Sequence, residues 1–187
     1  MLAQTPNLLT LLRLGAVPVL VVLIRDGSFD LAVLVFFVAG LSDALDGYIA
    51  KRFGYVSRLG AILDPLADKM LIVSTFIMLA LLDEVPFWLL VTVLFRDILI
   101  IGGYLTLISL NETVQMHPSL VSKLNTALLI GLEFAMLLKL AGWMHLPALI
   151  NTLMWAVLIT TVLSGVHYVY IWGFQRERVA TPEQNPE

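Results

Sequence analysis

Four aspartates, Asp43, Asp46, Asp64 and Asp68, fall within one stretch, D-A-L-D-G-Y-I-A-K-R-F-G-Y-V-S-R-L-G-A-I-L-D-P-L-A-D, at the edges of two long apolar runs. Asp43 and Asp46 are spaced i,i+3, and Asp64 and Asp68 i,i+4, so on helices each pair shares one face. Gly47 and Ala50 continue the first stripe and Gly60 begins the second. Lys51, Arg52 and Arg58 lie in the link between them. One Asp at the centre of a membrane helix costs roughly 3 kcal/mol on insertion scales, so four cost on the order of 10 kcal/mol. Facing carboxylates also repel one another. A hard divalent cation cancels both problems, because carboxylate oxygens are its preferred ligands, and four carboxylates can bridge two such ions. The competing reading is a set of solvated helix ends. It leaves the spacing, the glycines and the basic link without a common reason.

The elements that must position these acids are membrane helices. The chain has 187 residues, 59% of them hydrophobic and 13% charged, with a mean hydropathy of +0.93. That is too apolar for a soluble domain of this size. A net charge of −3 gives no basic surface for nucleic acid. Cysteine is absent, which excludes a disulfide framework and thiol chemistry. The first apolar run follows an uncharged start without a small-residue cleavage site, so it is not read as a removable signal peptide.

The apolar runs predict an all-α integral membrane protein with six transmembrane helices of about 20 residues, matched to a hydrocarbon core of ~30 Å. The first helix opens at Pro6-Asn7 as an interfacial segment and continues through residues 14–24, with a kink at Pro18. The others cover residues 29–50, 60–82, 86–110, 120–140 and 147–174, with Pro65 inside the third. Residues 51–59 form a basic loop and 111–119 a polar one. Residues 1–174 form a single domain, and 175–187 a polar, disordered tail. Gly102-Gly103 is expected at a close helix contact. Arg96, inside the fourth span beside Asp97, needs an anionic partner. That partner is either one of the aspartates or a phosphate. His167, followed by Tyr168, Tyr170 and Trp172, reads as an interfacial belt rather than a ligand. Arg13, the 51–58 link, Lys123 and Arg176/Arg178 fall on one side of the membrane. Arg25-Asp26, Asp83-Glu84 and Lys139 fall on the other. Both termini are therefore expected in the cytoplasm, with the acids opening to the cytoplasmic leaflet.

The 43–68 stretch resembles the signature of the CDP-alcohol phosphatidyltransferase family, D-x-x-D-G-x-x-A-R-x8-G-x-x-x-D-x-x-x-D. The chain supplies Asp43, Asp46, Gly47, Ala50, Gly60, Asp64 and Asp68 at those positions. It departs at Lys51, where the family has Arg; Arg52 follows at once. The resemblance extends from Pro6 to about Ile130. It includes the P-N-x-x-T-x-x-R opening with Thr10 and Arg13, which in the family lies at the cytoplasmic interface near the nucleotide. The resemblance implies an enzyme of phospholipid synthesis. Such an enzyme moves a phosphatidyl group from CDP-diacylglycerol to a hydroxyl acceptor and releases CMP.

In that family the four Asp hold Mg²⁺ or Mn²⁺, here expected as two ions, and the last, Asp68, is also the proposed base. Asp43, Gly47, Ala50, Lys51, Arg52 and Gly60 would contact the CDP moiety, and Arg13, Arg96 and Lys123 the acceptor or a phosphate. A homodimer in a bacterial inner membrane is implied as well. The fourth span, F-R-D-I-L-I-I-G-G-Y, carries Tyr104 where the family's phosphatidylglycerophosphate synthases have a further Arg. The segment P-S-L-V-S-K-L-N-T-A, residues 118–127, differs from their K-x-K-T. Both features look like the family's cardiolipin synthases. Phosphatidylglycerol is therefore the expected acceptor, and glycerol 3-phosphate the alternative. The competing class, a non-enzymatic cation transporter, also puts carboxylates in membrane helices but explains neither the glycines nor the fixed spacing.

Overall fold

The structure is a computed structural model that describes residues 5–53, 58–109 and 119–179; within these, the side chains of 5–9, 43–53, 58–62, 64, 104–105, 107–109 and 171–179 are not described. The described residues form six helices and no strand. They are α1 (Thr5–Arg25), α2 (Phe29–Phe53), α3 (Arg58–Leu81), α4 (Phe87–Ser109), α5 (Leu120–Leu140) and α6 (Pro147–Val179). The shortest have 21 residues, which at 1.5 Å per residue is about 31 Å. Among the described residues, Leu120–Leu140 and Pro147–Tyr170 are long and apolar enough to cross a membrane.

Helix α1 packs against α2 and α3. Helix α6 packs against α4 and α5, and α5 reaches back to α2 and α3. Leu20 and Ile24 of α1, Phe76 and Leu79 of α3, Leu132 and Leu137 of α5 and Val157 of α6 fill the centre. The outside is equally apolar, with Leu12, Phe37, Phe95, Ile98, Leu163 and Val166 exposed. A helix that is apolar all round suits lipid rather than water.

Helix starts and ends alternate along the bundle. The starts of α1, α3 and α5 and the ends of α2, α4 and α6 share one end. At the opposite end one device closes three helices. Ser28 N donates to Leu23 O at 2.9 Å, Glu84 N to Leu79 O at 3.0 Å and Trp143 N to Leu138 O at 3.0 Å. Each closure needs a left-handed residue just before the donor. Gly27 and Gly142, both at φ 74°, supply two of them, and Asp83, at φ 58°, supplies the third. Lys139 Nζ pairs with Glu84 Oε2 at 2.5 Å, and Trp143 Nε1 donates to Asp30 Oδ1 at 2.5 Å across the same end.

Several boundaries differ from the sequence expectation. Helix α2 continues through Lys51 and Arg52 to Phe53, and Arg58 already belongs to α3, so these three cations are helical rather than in a loop. Good helix formers and a basic C-terminal turn that complements the helix dipole account for the extension. What remains of the predicted 51–59 loop, residues 54–57, lies outside the described residues. Helix α6 likewise runs past the expected boundary at 174 to Val179, so residues 175–179 are helical where a disordered tail was expected. Gln, Arg and Glu all sustain a helix there. The rest of that tail, 180–187, lies outside the described residues, as do 111–118 of the polar loop and Leu110 at the end of the fourth predicted span. Ser119 caps α5, its hydroxyl accepting from Ser122 N at 3.1 Å. Pro18 and Pro65 both sit within continuous helices. Gly102 is exposed, with nothing within 4 Å of where a Cβ would stand, so among the described residues it makes no close helix contact.

Candidate active site

Helix α3 turns two successive side chains toward different neighbours, because adjacent helical positions point about 100° apart. Asp68 faces α1, where its Oδ1 accepts a short contact from Arg13 Nη1. Arg13 is fully buried, while the Asp68 side chain keeps 36% of its surface open. The two groups, with Phe36, Leu71, Ile72 and Ile130, line a cavity of about 480 Å³ between α1, α2, α3 and α5. Phe134 of α5 stacks on Phe36 of α2 at 6.3 Å and forms its wall. Apart from this ion pair and Thr126 the lining is apolar.

Asp43, Asp46, Gly47, Ala50, Lys51 and Arg52 lie along the last part of α2, and Gly60 and Asp64 in the first part of α3. That is the end of the bundle to which Asp68 also belongs. Of the four acids, Asp68 is the one whose side chain is described. The donor set is all carboxylate, the set preferred by Mg²⁺ or Mn²⁺ rather than by softer metals. Asp68 remains partly open. The residues present therefore fit a hard divalent cation.

Lys69 faces α4. Its Nζ lies 2.5 Å from Asp97 Oδ2, and Arg96 Nη1 lies 2.9 Å from Asp97 Oδ1. Arg96 Nη2 donates to Ser122 Oγ of α5 at 2.5 Å and to Ser164 Oγ of α6 at 2.6 Å, and its Nε donates to Ser164 at 3.1 Å. One guanidinium thereby joins α4, α5 and α6, and Lys69 joins α3 to them. Close by, Asn125 Oδ1 accepts from the hydroxyls of Thr160 and Thr161, each at 2.8 Å, and ties α5 to α6 again. A polar layer crosses the bundle near this end.

The anionic partner that Arg96 requires is therefore its own neighbour, Asp97. Arg13, expected at a phosphate, is bonded to Asp68. Lys123 is exposed at the start of α5. His167 is exposed, its ring edge-on to Tyr168 at 6.4 Å, as an interfacial belt residue would be. Sequence reasoning missed Lys69, Ser122, Ser164, Thr160 and Thr161, whose small or common side chains gave no spacing signal. It also missed Glu133, which is 0% exposed with neither carboxylate oxygen hydrogen-bonded among the described residues. There the signal was available, since a lone acid in an apolar span is functional or paired by default.

Residues 3–163 match the family pattern described as CDP-alcohol phosphatidyltransferase. The chain is similar to a cardiolipin synthase (CMP-forming) of Rattus norvegicus, 33% identical over 184 residues, covering 90% of this chain and 61% of the relative. It is similar to a probable phosphatidylglycerophosphate synthase of Mycobacterium tuberculosis, 36% identical over 177 residues, covering 90% and 81%. A CDP-diacylglycerol–glycerol-3-phosphate 3-phosphatidyltransferase of Bacillus subtilis is 27% identical over 179 residues, covering 87% and 92%. The chain spans about six-tenths of the length of the cardiolipin synthases of rat, fly and human that it matches.

Proposed function

The chain belongs to the CDP-alcohol phosphatidyltransferase family, and from that premise we propose that it moves a phosphatidyl group from CDP-diacylglycerol to the free hydroxyl of phosphatidylglycerol, releasing CMP and forming cardiolipin. The observation that carries the reading is Asp68, held by buried Arg13 in the lining of a mostly apolar cavity, on the helix that follows the Asp43/Asp46 pair. A reactive carboxylate beneath apolar walls suits a substrate whose headgroup is polar and whose chains stay in lipid.

Arg13 fixes the rotamer of Asp68 by a charge-assisted hydrogen bond. Asp68 takes the proton of the acceptor hydroxyl, which requires hydrogen-bond reach. The hydroxyl oxygen then bonds to the phosphorus next to diacylglycerol. The bond from that phosphorus to the bridging oxygen breaks, and CMP leaves with the electron pair. Asp43, Asp46, Asp64 and Asp68 would hold two Mg²⁺ or Mn²⁺, which when bound neutralise the pyrophosphate and polarise the phosphorus under attack. Gly47 and Gly60 carry no side chain, so the nucleotide can approach both helices. Asp43, Ala50, Lys51 and Arg52 complete its site, with the two cations against phosphate. Lys keeps the charge of the family Arg at position 51 but not its bidentate fork. Arg96 and Lys123 serve the acceptor phosphate.

All six helices cross the membrane, with both termini in the cytoplasm, in a homodimer of a bacterial inner membrane. The aromatic residues support two interfaces. Trp88 and Trp155 meet toward the far end with ring centroids 6.3 Å apart and planes tilted by 39°, and Tyr168 and Tyr170 lie toward the site end. On α6, Trp155 and Tyr170 are separated by about 22 Å of rise. The chain has no cysteine, so Ser57→Cys is a unique reporter of orientation. It should react with an impermeant thiol reagent in inside-out vesicles and not from outside intact cells. Labelling from outside would reverse the topology.

Relatives named for each acceptor are similarly close, so the choice of phosphatidylglycerol rests on Tyr104 and residues 118–127. Purified protein is given CDP-diacylglycerol, Mg²⁺ or Mn²⁺, and either phosphatidylglycerol or glycerol 3-phosphate, and the lipid products are resolved. Cardiolipin from phosphatidylglycerol is expected. Phosphatidylglycerophosphate alone would make glycerol 3-phosphate the acceptor, and no CMP with either would remove the transferase reading. Lys123→Ala should raise the apparent KM for the acceptor more than for CDP-diacylglycerol, whereas the opposite pattern would assign Lys123 to the donor.

A further inference from the structure

Two consecutive residues of α3 are fastened to different helices. Asp68 is bonded to Arg13 of α1, and Lys69 Nζ lies 2.5 Å from Asp97 Oδ2 of α4. The surroundings of the two anchorages differ. Helix α3 packs closely along α1 and only lightly against α4, so on its α4 side the ion pair is a main tie. The far end of that tie is firm. Asp97 is 9% exposed and also meets Arg96 Nη1 at 2.9 Å, and the same guanidinium is bonded to Ser122 and Ser164. Lys69 is therefore fastened to the frame made by α4, α5 and α6. Toward its start α3 is interrupted, because Pro65 has no N–H to give to the carbonyl one turn back. The direction of Asp68 is then set by what grips α3 at positions 68 and 69 rather than by the turns before Pro65.

We propose that Lys69 is a positioning residue for Asp68: its ion pair with Asp97 fixes the rotation of α3 about its own axis, and with it the place of the Asp68 carboxylate. Lys69 acts through the helix, since it faces α4 and is absent from the described residues that line the Asp68 cavity. A side-chain carboxylate stands about 5 Å from the axis of its helix, so a turn of ~10° moves it by ~1 Å. A misplacement of about 1 Å can cost about a hundredfold in rate. The same shift disturbs the carboxylate as a ligand for a divalent cation, where loss of a supporting contact costs about 10–100-fold in affinity. The proposal rests on the role given to Asp68 above.

Replacing Lys69 leaves Asp97 with Arg96 as its partner, so no buried charge is orphaned. The test uses purified full-length protein in lipid nanodiscs. Mn²⁺ binding is measured without substrate, from free Mn²⁺ by electron paramagnetic resonance, and turnover is expressed per Mn²⁺ site. Lys69→Met and Lys69→Gln should each weaken Mn²⁺ binding by about tenfold. Each should lower kcat by about tenfold to a hundredfold, with the KM for CDP-diacylglycerol and for the acceptor held within about twofold of wild type. Lys69→Arg, which keeps a cation for Asp97, should restore both quantities. Adding Asp97→Asn to Lys69→Met should change the Mn²⁺ affinity little further, because partners in one ion pair are not additive. A lower unfolding temperature with unchanged Mn²⁺ affinity and unchanged kcat per site would make Lys69 a structural tie and overturn the proposal. So would a raised KM for either substrate at unchanged kcat, which would put Lys69 in contact with that substrate. Absence of CMP release by wild type would defeat the transferase reading alone. The Mn²⁺ affinities would then decide for Lys69: a loss that Lys69→Arg repairs upholds its role, and no loss overturns it.

Discussion

Asp46→Asn is expected to lower CMP release by about a thousandfold, and Asp64→Asn to do the same, because metal-based charge stabilisation at a phosphoryl centre supplies several kcal/mol of the barrier reduction. Asn keeps the size and one oxygen of Asp but removes the negative charge that holds a hard cation. The folded protein should not suffer. Four carboxylates near one end of α2 and α3 repel one another, so losing one charge relieves the metal-free protein. Thermal unfolding in detergent without metal should show both variants at least as stable as wild type. Excess chelator should silence the wild type to the same degree, and added Mg²⁺ or Mn²⁺ should restore it. Full turnover by either variant, or by wild type in chelator, would sink the metal reading. An unfolded variant would instead mean that these acids are structural.

Arg96→Ala is the second large effect, and here both stability and acceptor use should fall. The Arg96 and Asp97 side chains are 7% and 9% exposed, and removing one partner of a buried pair costs about 3 kcal/mol or more. Ser122 and Ser164 lose their donor at the same time, so α4, α5 and α6 lose their common tie. The double variant Arg96→Met/Asp97→Leu separates the two roles. Apolar side chains of similar size often replace a buried ion pair without loss of stability, so the double variant should regain most of the unfolding free energy. It should not regain acceptor use, since it leaves Lys69 without its counter-ion and removes the guanidinium. Wild-type stability in Arg96→Ala would contradict the network. Restored activity in the double variant would contradict any role of Arg96 toward the acceptor.

The sequence carried the helices well because long apolar runs broken by Arg25-Asp26-Gly27 and Asp83-Glu84 admit few other readings. It carried the candidate site as a pattern, since i,i+3 and i,i+4 spacing fixes which acids share a face whatever packs against them. It did not carry the partners. Arg13 and Asp68 are 55 positions apart, and Arg96 and Ser164 are 68 apart. Periodicity along one helix does not say which neighbour a face meets. Lys69 carries no spacing signal of its own, and its partner Asp97 lies on a different helix, 28 positions on. The ends of α2 and α6 were misjudged for a different reason. A polar sequence stops being a membrane signal before it stops being helical, so hydropathy set the boundaries at Ala50 and Phe174, short of the observed ends at Phe53 and Val179.

The tie made by Arg96 also has a history in time. A ribosome makes α4 before α5 and α6, and the hydroxyls of Ser122 and Ser164 come 26 and 68 positions after the arginine that needs them. An arginine near the middle of a helix costs roughly 2.5–3.5 kcal/mol when that helix leaves the translocon for lipid. At that moment α3 is already present, and Lys69 can meet Asp97, but this hairpin still carries an excess cation and a guanidinium short of acceptors. On the six-span topology proposed above, a nascent chain ending at α4 should therefore linger beside the insertion machinery, and the release of α4 into the bilayer should await the synthesis of α6. The residue that ties three helices in the finished protein makes the last of them a condition for the first to settle.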